Sequence, residues 1–405
     1  MTILTIQLSQ DFPDNFYKYR GIFVKQAIDS IAAAGVNVEM VSPRAFVLPF
    51  NWFPNHGFSQ VPRRAEEKEG RYSIHHPRYL YPVPKRFLYR FAGSSYASFV
   101  GNYIHKNLEK PDLLHSHFAY PDGFGMLELV DKWKIPLVVH LRGAFRIATG
   151  EPTFRTVKDK LMKVLDRADL IFTVSHSVKQ EYQELGVPGE KMVVMPNGVN
   201  SERFYPIPQE DARFLLPGKL RDYHGKLVLF VGYLRKRKGV DLLVEAMPEV
   251  LKEHPDTHLI IIGEGQLRKR LEERGRELDM ADRLSFLSNI PHEKMLNFIN
   301  AADLTVLPTF AEGRPNIVLE SMLCGRPVVA TAVSGIPELV RDGVEGILIK
   351  PGESAPISRA LCSLLGDETR MKQMGEAGRA RIEALGLNWE EYGSKVKKQY
   401  QKLVL

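Results

Sequence analysis

Glu312 and Glu320 lie in the segment Phe310–Ile349, FAEGRPNIVLESMLCGRPVVATAVSGIPELVRDGVEGILI, with seven residues between them. Their surroundings read as strand Leu304–Pro308, a loop, a short helix Ile317–Cys324, Gly325 as a stop and strand Pro327–Thr331. Pro315-Asn316 fits a helix start with Asn316 as its cap, and Gly325 fits the position after its end. A helix that begins just beyond the carboxyl end of a parallel strand turns free backbone N–H groups into a crevice. The amides near Ile317 and Val318 then form an anion site for phosphate oxygens. Glu312 and Glu320 would flank whatever the phosphate carries, and carboxylates accept paired hydrogen bonds from the vicinal hydroxyls of sugars and ribose. Taken alone, two glutamates at this spacing more often describe a solvated cap and a helix-surface charge.

The whole segment, with its GRPVVAT and GIPELV blocks, resembles the signature of the family 4 retaining glycosyltransferases. That family has two Rossmann-like domains, the GT-B fold. The resemblance implies that Glu312 contacts the donor sugar and Glu320 the nucleotide ribose, with Gly313, Arg314, Pro315, Asn316, Ile317 and Val318 lining the donor site.

After strand Lys226–Tyr233 comes Leu234-Arg235-Lys236-Arg237-Lys238-Gly239. Cations at a strand end, followed by a helix, make an electrostatic cup for a pyrophosphate, although several of four adjacent cations will be solvated in any case. The resemblance places Lys238, just before Gly239, as the diphosphate-binding lysine. Many members carry an Arg directly after the strand-end Gly; here Tyr233 stands there, and Arg235 is the candidate replacement. Gly263-Glu264-Gly265 follows strand His258–Ile262, but Arg268 stands where a dinucleotide fingerprint needs its third glycine, so no nicotinamide cofactor is expected. Ser288-Asn289-Ile290-Pro291 resembles the family's base-contacting loop. No D-x-D occurs in the chain, so lysine, arginine and helix amides, without a metal, are expected to neutralise the leaving group.

In the first half, His115-Ser116-His117 ends strand Leu113–His117, which sends both imidazoles the same way. The pair reads as part of a hydrolase metal site with His140, as two hydrogen-bonded structural histidines, or, by the resemblance of PDLLHSHFAYPDGFG, as a segment whose His117 faces the donor sugar. VVHLRGAF occupies the place of a family loop that usually reads His-Gly; Arg142 precedes Gly143 here, which suits an acidic acceptor or is a plain surface change. Gly21 closes the loop QDFPDNFYKYRG and opens the first helix, where the resemblance lays the loop over the donor diphosphate and acceptor. Arg20 is a further candidate phosphate contact or an ordinary solvated cation.

These residues need elements to hold them. Strand-like runs alternate with helical patterns, the sign of parallel α/β architecture. The first-half strands are Ile3–Leu8, Val36–Val41, Leu113–His117, Leu137–Leu141, Leu170–Val174 and Met192–Met195, with helices at Phe23–Ala34 and Val157–Arg167 among them. The second half restarts at Lys226–Tyr233, followed by helix Val240–Lys252 and strand His258–Ile262. The aperiodic MPNGVNSERFYPIPQEDARFLLPG separates the halves. An acceptor-binding domain at 1–200, joined by the C-terminal helix 389–405, and a nucleotide-sugar domain at 205–388 are expected, both doubly wound and facing across a cleft. At 405 residues each half can bury its own core.

Two cysteines, Cys324 and Cys362, suit a reducing cytoplasm, no apolar run reaches the ~18 residues of a membrane span, and the N-terminus reads as a first strand and not a signal peptide. The net charge of +7 calls for an anionic partner, and without a nucleic-acid-binding signature the choices are a membrane surface or a phosphorylated small molecule. Residues 71–106 hold six Lys/Arg and no Asp/Glu among Tyr79, Tyr81, Phe87, Tyr89, Phe91, Tyr96 and Phe99, a mixture that suits the inner face of an anionic membrane or, more plainly, a core with a solvated basic side.

The expected reaction is sugar transfer from a nucleotide diphosphate sugar, of UDP or GDP type, to a hydroxyl of a glycan or lipid-linked acceptor in bacterial cell-surface polysaccharide synthesis. The alternatives are a metal hydrolase on His115, His117 and His140, a sugar-nucleotide epimerase, and a non-catalytic nucleotide-sugar-binding partner.

Overall fold

A computed structural model describes residues 3–15, 18, 20–46, 61–67, 69–81, 89–143, 156–288 and 290–404. The chain forms two compact units, Met1–Gly198 with Asn388–Leu405, and Val199–Leu387.

The first unit is built on ten strands: β1 (Leu4–Leu8), β2 (Asn37–Val41), β3 (Arg44–Phe46), β4 (Arg64–Glu66), β5 (Ser73–His75), β6 (Arg78–Leu80), β7 (Leu113–Ser116), β8 (Leu137–Leu141), β9 (Leu170–Thr173) and β10 (Met192–Val194). Eight of them form a sheet in the order β10-β9-β8-β7-β1-β2-β5-β4, parallel except for β4 against β5, while β3 pairs with β6. β7, β8 and β9 are buried along their length, as expected of parallel strands covered on both faces. The strand order reverses at β1, whose neighbours are β2 and β7, so the loops after β1 and β7 open a crevice at the carboxyl edge.

The C-terminal helix Trp389–Val404 packs on helix Ile22–Ala33. A Cβ on Gly393 would stand 2.1 Å from the Ser30 carbonyl oxygen, so the two backbones approach where no side chain fits. Ser30 Oγ donates to the Trp389 carbonyl, and Lys397 Nζ donates to Ala34 O at 2.7 Å.

The second unit has six parallel strands: β11 (Lys226–Val231), β12 (Thr257–Ile262), β13 (Leu284–Leu287), β14 (Leu304–Leu307), β15 (Val328–Thr331) and β16 (Gly346–Ile349). Their order is β13-β12-β11-β14-β15-β16, in which the progression reverses at β11. Its core includes Leu227, Leu229, Ile260, Val306, Val329 and Leu361, all fully buried. Each such aliphatic side chain contributes about 1.5–3 kcal/mol relative to exposure, which fixes the sheet as a platform for the loops at its edge.

Candidate functional site

The reversal at β11 places two loops side by side, Gly232–Gly239 after β11 and Pro308–Pro315 after β14. Phe310 N donates to Arg237 O at 2.8 Å, Thr309 Oγ1 reaches the same carbonyl at 3.0 Å, and Arg237 Nη1 donates to Ala311 O at 3.0 Å. Gly239 has φ +65°, and a Cβ there would lie 1.9 Å from Pro308 O, so this contact requires glycine. The two loops are thereby stitched together with Lys238 Nζ against Glu312 Oε1, an ion pair whose side chains are both largely buried. Gly263 and Gly265 pack on the β11 loop, where a Cβ would meet Gly232 O at 1.9 Å and Leu234 O at 2.4 Å. The Gly-Glu-Gly turn therefore serves close backbone packing.

The helix after β14 runs Asn316–Leu323, one residue earlier than its apolar pattern predicts. Pro315 is its N-cap, without a side-chain cap hydrogen bond, and Asn316 is the first helical residue instead of the cap. Pro315, at φ −74°, leads the chain into the helix, and its missing N–H costs nothing outside the ladder. Val318 N donates to Pro315 O at 3.2 Å, and Gly325, at φ +68°, closes the helix.

Glu320, buried on the second turn, has Oε1 3.0 Å from His292 Nε2, and His292 Nδ1 lies 3.0 Å from Arg203 Nη1. A guanidinium only donates, so Nδ1 accepts and Nε2 carries the proton that it donates to Glu320. His292 and Arg203, which sequence reasoning missed, join Glu320 as candidates; no local pattern marks either of them. Gly313 and Pro315 are buried beneath the site. Arg314 has a buried Nε without a partner, and burial pushes its guanidinium down to about 10 despite the nearby Glu338 charge. Arg235 lies on the surface with its guanidinium 5.2 Å from the Tyr233 ring centroid. In the Ser288–Pro291 loop, Asn289 falls outside the described residues.

The first unit gathers its candidates at the β1/β7 reversal. Gly21 has φ +63°, and a Cβ would stand 2.1 Å from Asp11 O, so the loop after β1 folds onto itself there. Buried Arg44 on β3 organises this loop, donating from Nε to Asp14 Oδ2 at 2.8 Å and from Nη2 to Phe12 O at 3.1 Å. Arg20 pairs with Asp11 at 2.6 Å. Asp122, fully buried after β7, accepts from Tyr96 Oη at 2.8 Å and from Gln10 N at 3.3 Å; burial raises its carboxyl to about 8.

His115, His117 and His140 are all fully buried, and burial with the nearby Arg142 charge holds all three imidazoles well below their ordinary value; neighbouring imidazoles add to this for His117 and His140. The His115 and His117 rings stack at 4.4 Å, and those of His115 and His140 at 5.8 Å. His117 Nδ1 accepts from Arg142 Nη2 at 2.7 Å, so its Nε2 carries the proton toward Gln7 Oε1 at 3.0 Å. Gln7 Nε2 and His115 Nδ1 both bond the hydroxyl of Tyr400 from the C-terminal helix. The three rings could hold a metal only if His117 gave up one of two good hydrogen bonds, and the Arg142 guanidinium beside them repels a dication.

In the 71–106 segment, Tyr79 and Tyr96 are core residues, whereas Phe91 and Phe99 are 50% and 51% exposed; Phe87 lies outside the described residues. Phe46 and Leu80, register partners on β3 and β6, are exposed as well. No helix among the described residues is long and apolar enough to cross a membrane.

Residues 21–203 match the family model for Glycosyltransferase Family 4, and residues 216–381 that for Glycosyl transferases group 1. The chain is 32% identical over 297 residues to a D-inositol 3-phosphate glycosyltransferase of Nocardia farcinica, covering 69% of this chain and 63% of that relative. It thus spans slightly less than two thirds of that relative's length. A D-inositol 3-phosphate glycosyltransferase of Corynebacterium diphtheriae is 30% identical over 307 residues, 71% of this chain and 70% of the relative. Among solved structures, sucrose-phosphate synthase from Thermosynechococcus elongatus superposes with a TM-score of 0.82 at 23% identity, covering 99% of both chains.

Proposed function

The chain belongs to the family 4 glycosyltransferases, and we propose that it is a retaining member moving a sugar from a nucleotide diphosphate sugar to a hydroxyl of a glycan or lipid-linked acceptor. The observation that carries this reading is the Lys238–Glu312 ion pair at the strand-order reversal of the second unit, with Glu320 eight residues further on. A donor diphosphate entering there exchanges one anion for another around Lys238, freeing Glu312 to accept from sugar hydroxyls. Glu320, held by His292, accepts from the ribose. Arg235 and the first-turn amide at Ile317 add positive potential, the Val318 N–H being already given to Pro315 O, and Gly313, Arg314, Pro315 and Asn316 shape the loop that presents the helix start.

In the transfer the bond from C1 to the diphosphate oxygen breaks, its electron pair leaving with the phosphate. The acceptor oxygen bonds to C1 on the same face, and its proton passes to the departing phosphate. No side-chain nucleophile is assigned, and positioning with leaving-group stabilisation supplies the rate. Gly21 keeps the loop after β1 close-packed beside the substrate, and His117 acts by fixing Arg142. The chemistry needs no metal in this reading, since the cations of the second unit meet the leaving-group charge.

Bacterial cell-surface polysaccharide synthesis in the cytoplasm is the setting that this reaction suits. The exposed Phe91, with Arg90 over its ring, and the exposed Phe99 suit docking at an anionic inner membrane face, where a lipid-linked acceptor would lie.

The test is calorimetric titration of UDP, GDP, ADP and CMP with EDTA present, on wild type and Glu320→Ala. Micromolar binding of one diphosphate, weakened in the variant, is expected. Binding that appears only when metal is restored would overturn the metal-free donor site.

A further inference from the structure

Arg142 stands at the carboxyl end of β8, next to β7 and its loop, and is only partly covered. Its Nε and Nη2 donate to His117 Nδ1 at 3.2 and 2.7 Å, Nη1 donates to Asn197 Oδ1 at 2.9 Å, and Nη2 lies 3.5 Å from Tyr392 Oη. The Phe23 ring centroid lies 5.5 Å from its guanidinium carbon. Every one of these partners is neutral, and among the described residues no carboxylate pairs with Arg142. The two nearest histidine neighbours of His117 are neutral and buried too, so the pocket supplies no counter-charge. Even a partly covered guanidinium held by neutral partners alone lacks the counter-ion that such a charge ordinarily takes, and a fold that needed only packing there would place an apolar or neutral side chain.

The partners instead hold the fork still. His117 is set by Gln7, which is set in turn by Tyr400, so the direction of the guanidinium is fixed from β1 and from the C-terminal helix. One Nη1 hydrogen is left without an acceptor among these contacts. A preorganised, uncompensated cation at the mouth of a strand edge fits the planar oxygens of a phosphate or carboxylate.

We infer that Arg142 binds an anionic group, phosphate or carboxylate, on the acceptor substrate, with Asn197 and His117 as positioning residues. This inference rests on the glycosyltransferase reading above. The energy of one charge-assisted contact predicts a preference of about ten-fold or more for an anionic acceptor over its neutral parent.

The experiment uses the full chain saturated with the nucleotide it binds, titrated with matched pairs: glucose and glucose 6-phosphate, glucose and glucuronate, glycerol and glycerol 3-phosphate. In wild type at least one anionic member should bind about ten-fold more tightly than its parent, with the phosphate and carboxylate arms telling the two chemistries apart. In Arg142→Met that ratio should fall close to one, and in Arg142→Lys it should be intermediate. A structural role would weaken both members of a pair equally and leave the ratio alone. No anionic preference in wild type, or a preference that survives Arg142→Met, overturns the inference. Failure of every nucleotide to bind would instead strike the donor-site reading, since that titration reports the second unit.

Discussion

His292 Nε2 stands 3.0 Å from Glu320 Oε1, and the ring's other nitrogen is held by Arg203. Glu320 is thus not a free helix-surface carboxylate: one oxygen is committed to a neutral imidazole whose tautomer Arg203 dictates, leaving the other for a ligand. Removing the imidazole should let the carboxylate turn away from its set position. His292→Ala is expected to weaken nucleotide diphosphate binding about ten-fold, the worth of one hydrogen bond to a charged group. His292→Gln, which keeps a donor, should recover part of the loss. Calorimetry on the two variants decides it, and an affinity within about two-fold of wild type in the alanine variant would refute the positioning role.

Lys238 and Glu312 should be coupled in stability as well as in binding. Their side chains are 15% and 10% exposed, so truncating either leaves an uncompensated charge in a largely dry place. Lys238→Met or Glu312→Gln should each cost about 3 kcal/mol in denaturant unfolding of the second unit. The double variant should lose less than the sum, with a coupling of about 0.5–3 kcal/mol. Additive losses would mean that the two side chains act independently. In transfer assays Lys238→Met should lower kcat by about 10²-fold or more, as expected for a lost leaving-group contact.

Much of this arrangement is legible in the chain, and for identifiable reasons. Runs such as Leu227–Val231 and Leu259–Ile262 read as strands because both faces of a parallel sheet are covered. The expected strand ends run too far at Tyr233, His117 and Pro308. The chain has already turned there to form the crevice loops, at Gly232 after β11 and at Pro308 after β14. Glu312, Glu320 and Lys238 stand out as candidates because the segments around them resemble the family signature, which is local in sequence, whereas their spacing alone fits a solvated surface equally well. The partners that set them were not: Arg203 and His292 are 89 residues apart, and the Arg44 contact to Asp14 spans 30. Such meetings follow from strand order alone, which periodicity does not encode. The HxH reading likewise gave the shared direction of His115 and His117 but not their burial, nor the contacts of Tyr400 to His115 and of Tyr392 to His140.

Asp122 makes stability depend on pH in a definite direction. Its folded carboxyl titrates near 8, against about 3.9 in an unfolded chain, because burial disfavours the charge more than Tyr96 and Gln10 relieve it. A raised folded value means that its contribution is complete below about pH 4 and is lost as pH rises through about 8. The melting temperature of the wild type should therefore fall from pH 5 to pH 9 by more than that of Asp122→Asn, which has no proton to lose. Thermal scans across that window test it, and parallel curves would show that Asp122 does not set the slope.

Gly239 and Gly232 flank the same loop and should answer differently to alanine. At Gly239 the backbone is left-handed, and a Cβ would lie 1.9 Å from the Pro308 carbonyl, an oxygen that cannot move without shifting β14. Gly239→Ala should cost at least about 1–2 kcal/mol from the backbone conformation alone, and the steric displacement of Pro308 should separate Lys238 from Glu312. Gly232 has no such φ, and its added Cβ would first meet Phe230 Cζ at 3.4 Å, an ordinary contact. Gly232→Ala should therefore melt within about 0.5 kcal/mol of wild type and keep nucleotide affinity. The crevice depends on the Gly239–Pro308 approach if the first variant loses both stability and nucleotide binding while the second keeps both. Equal behaviour of the two would show that the loops hold their places without it.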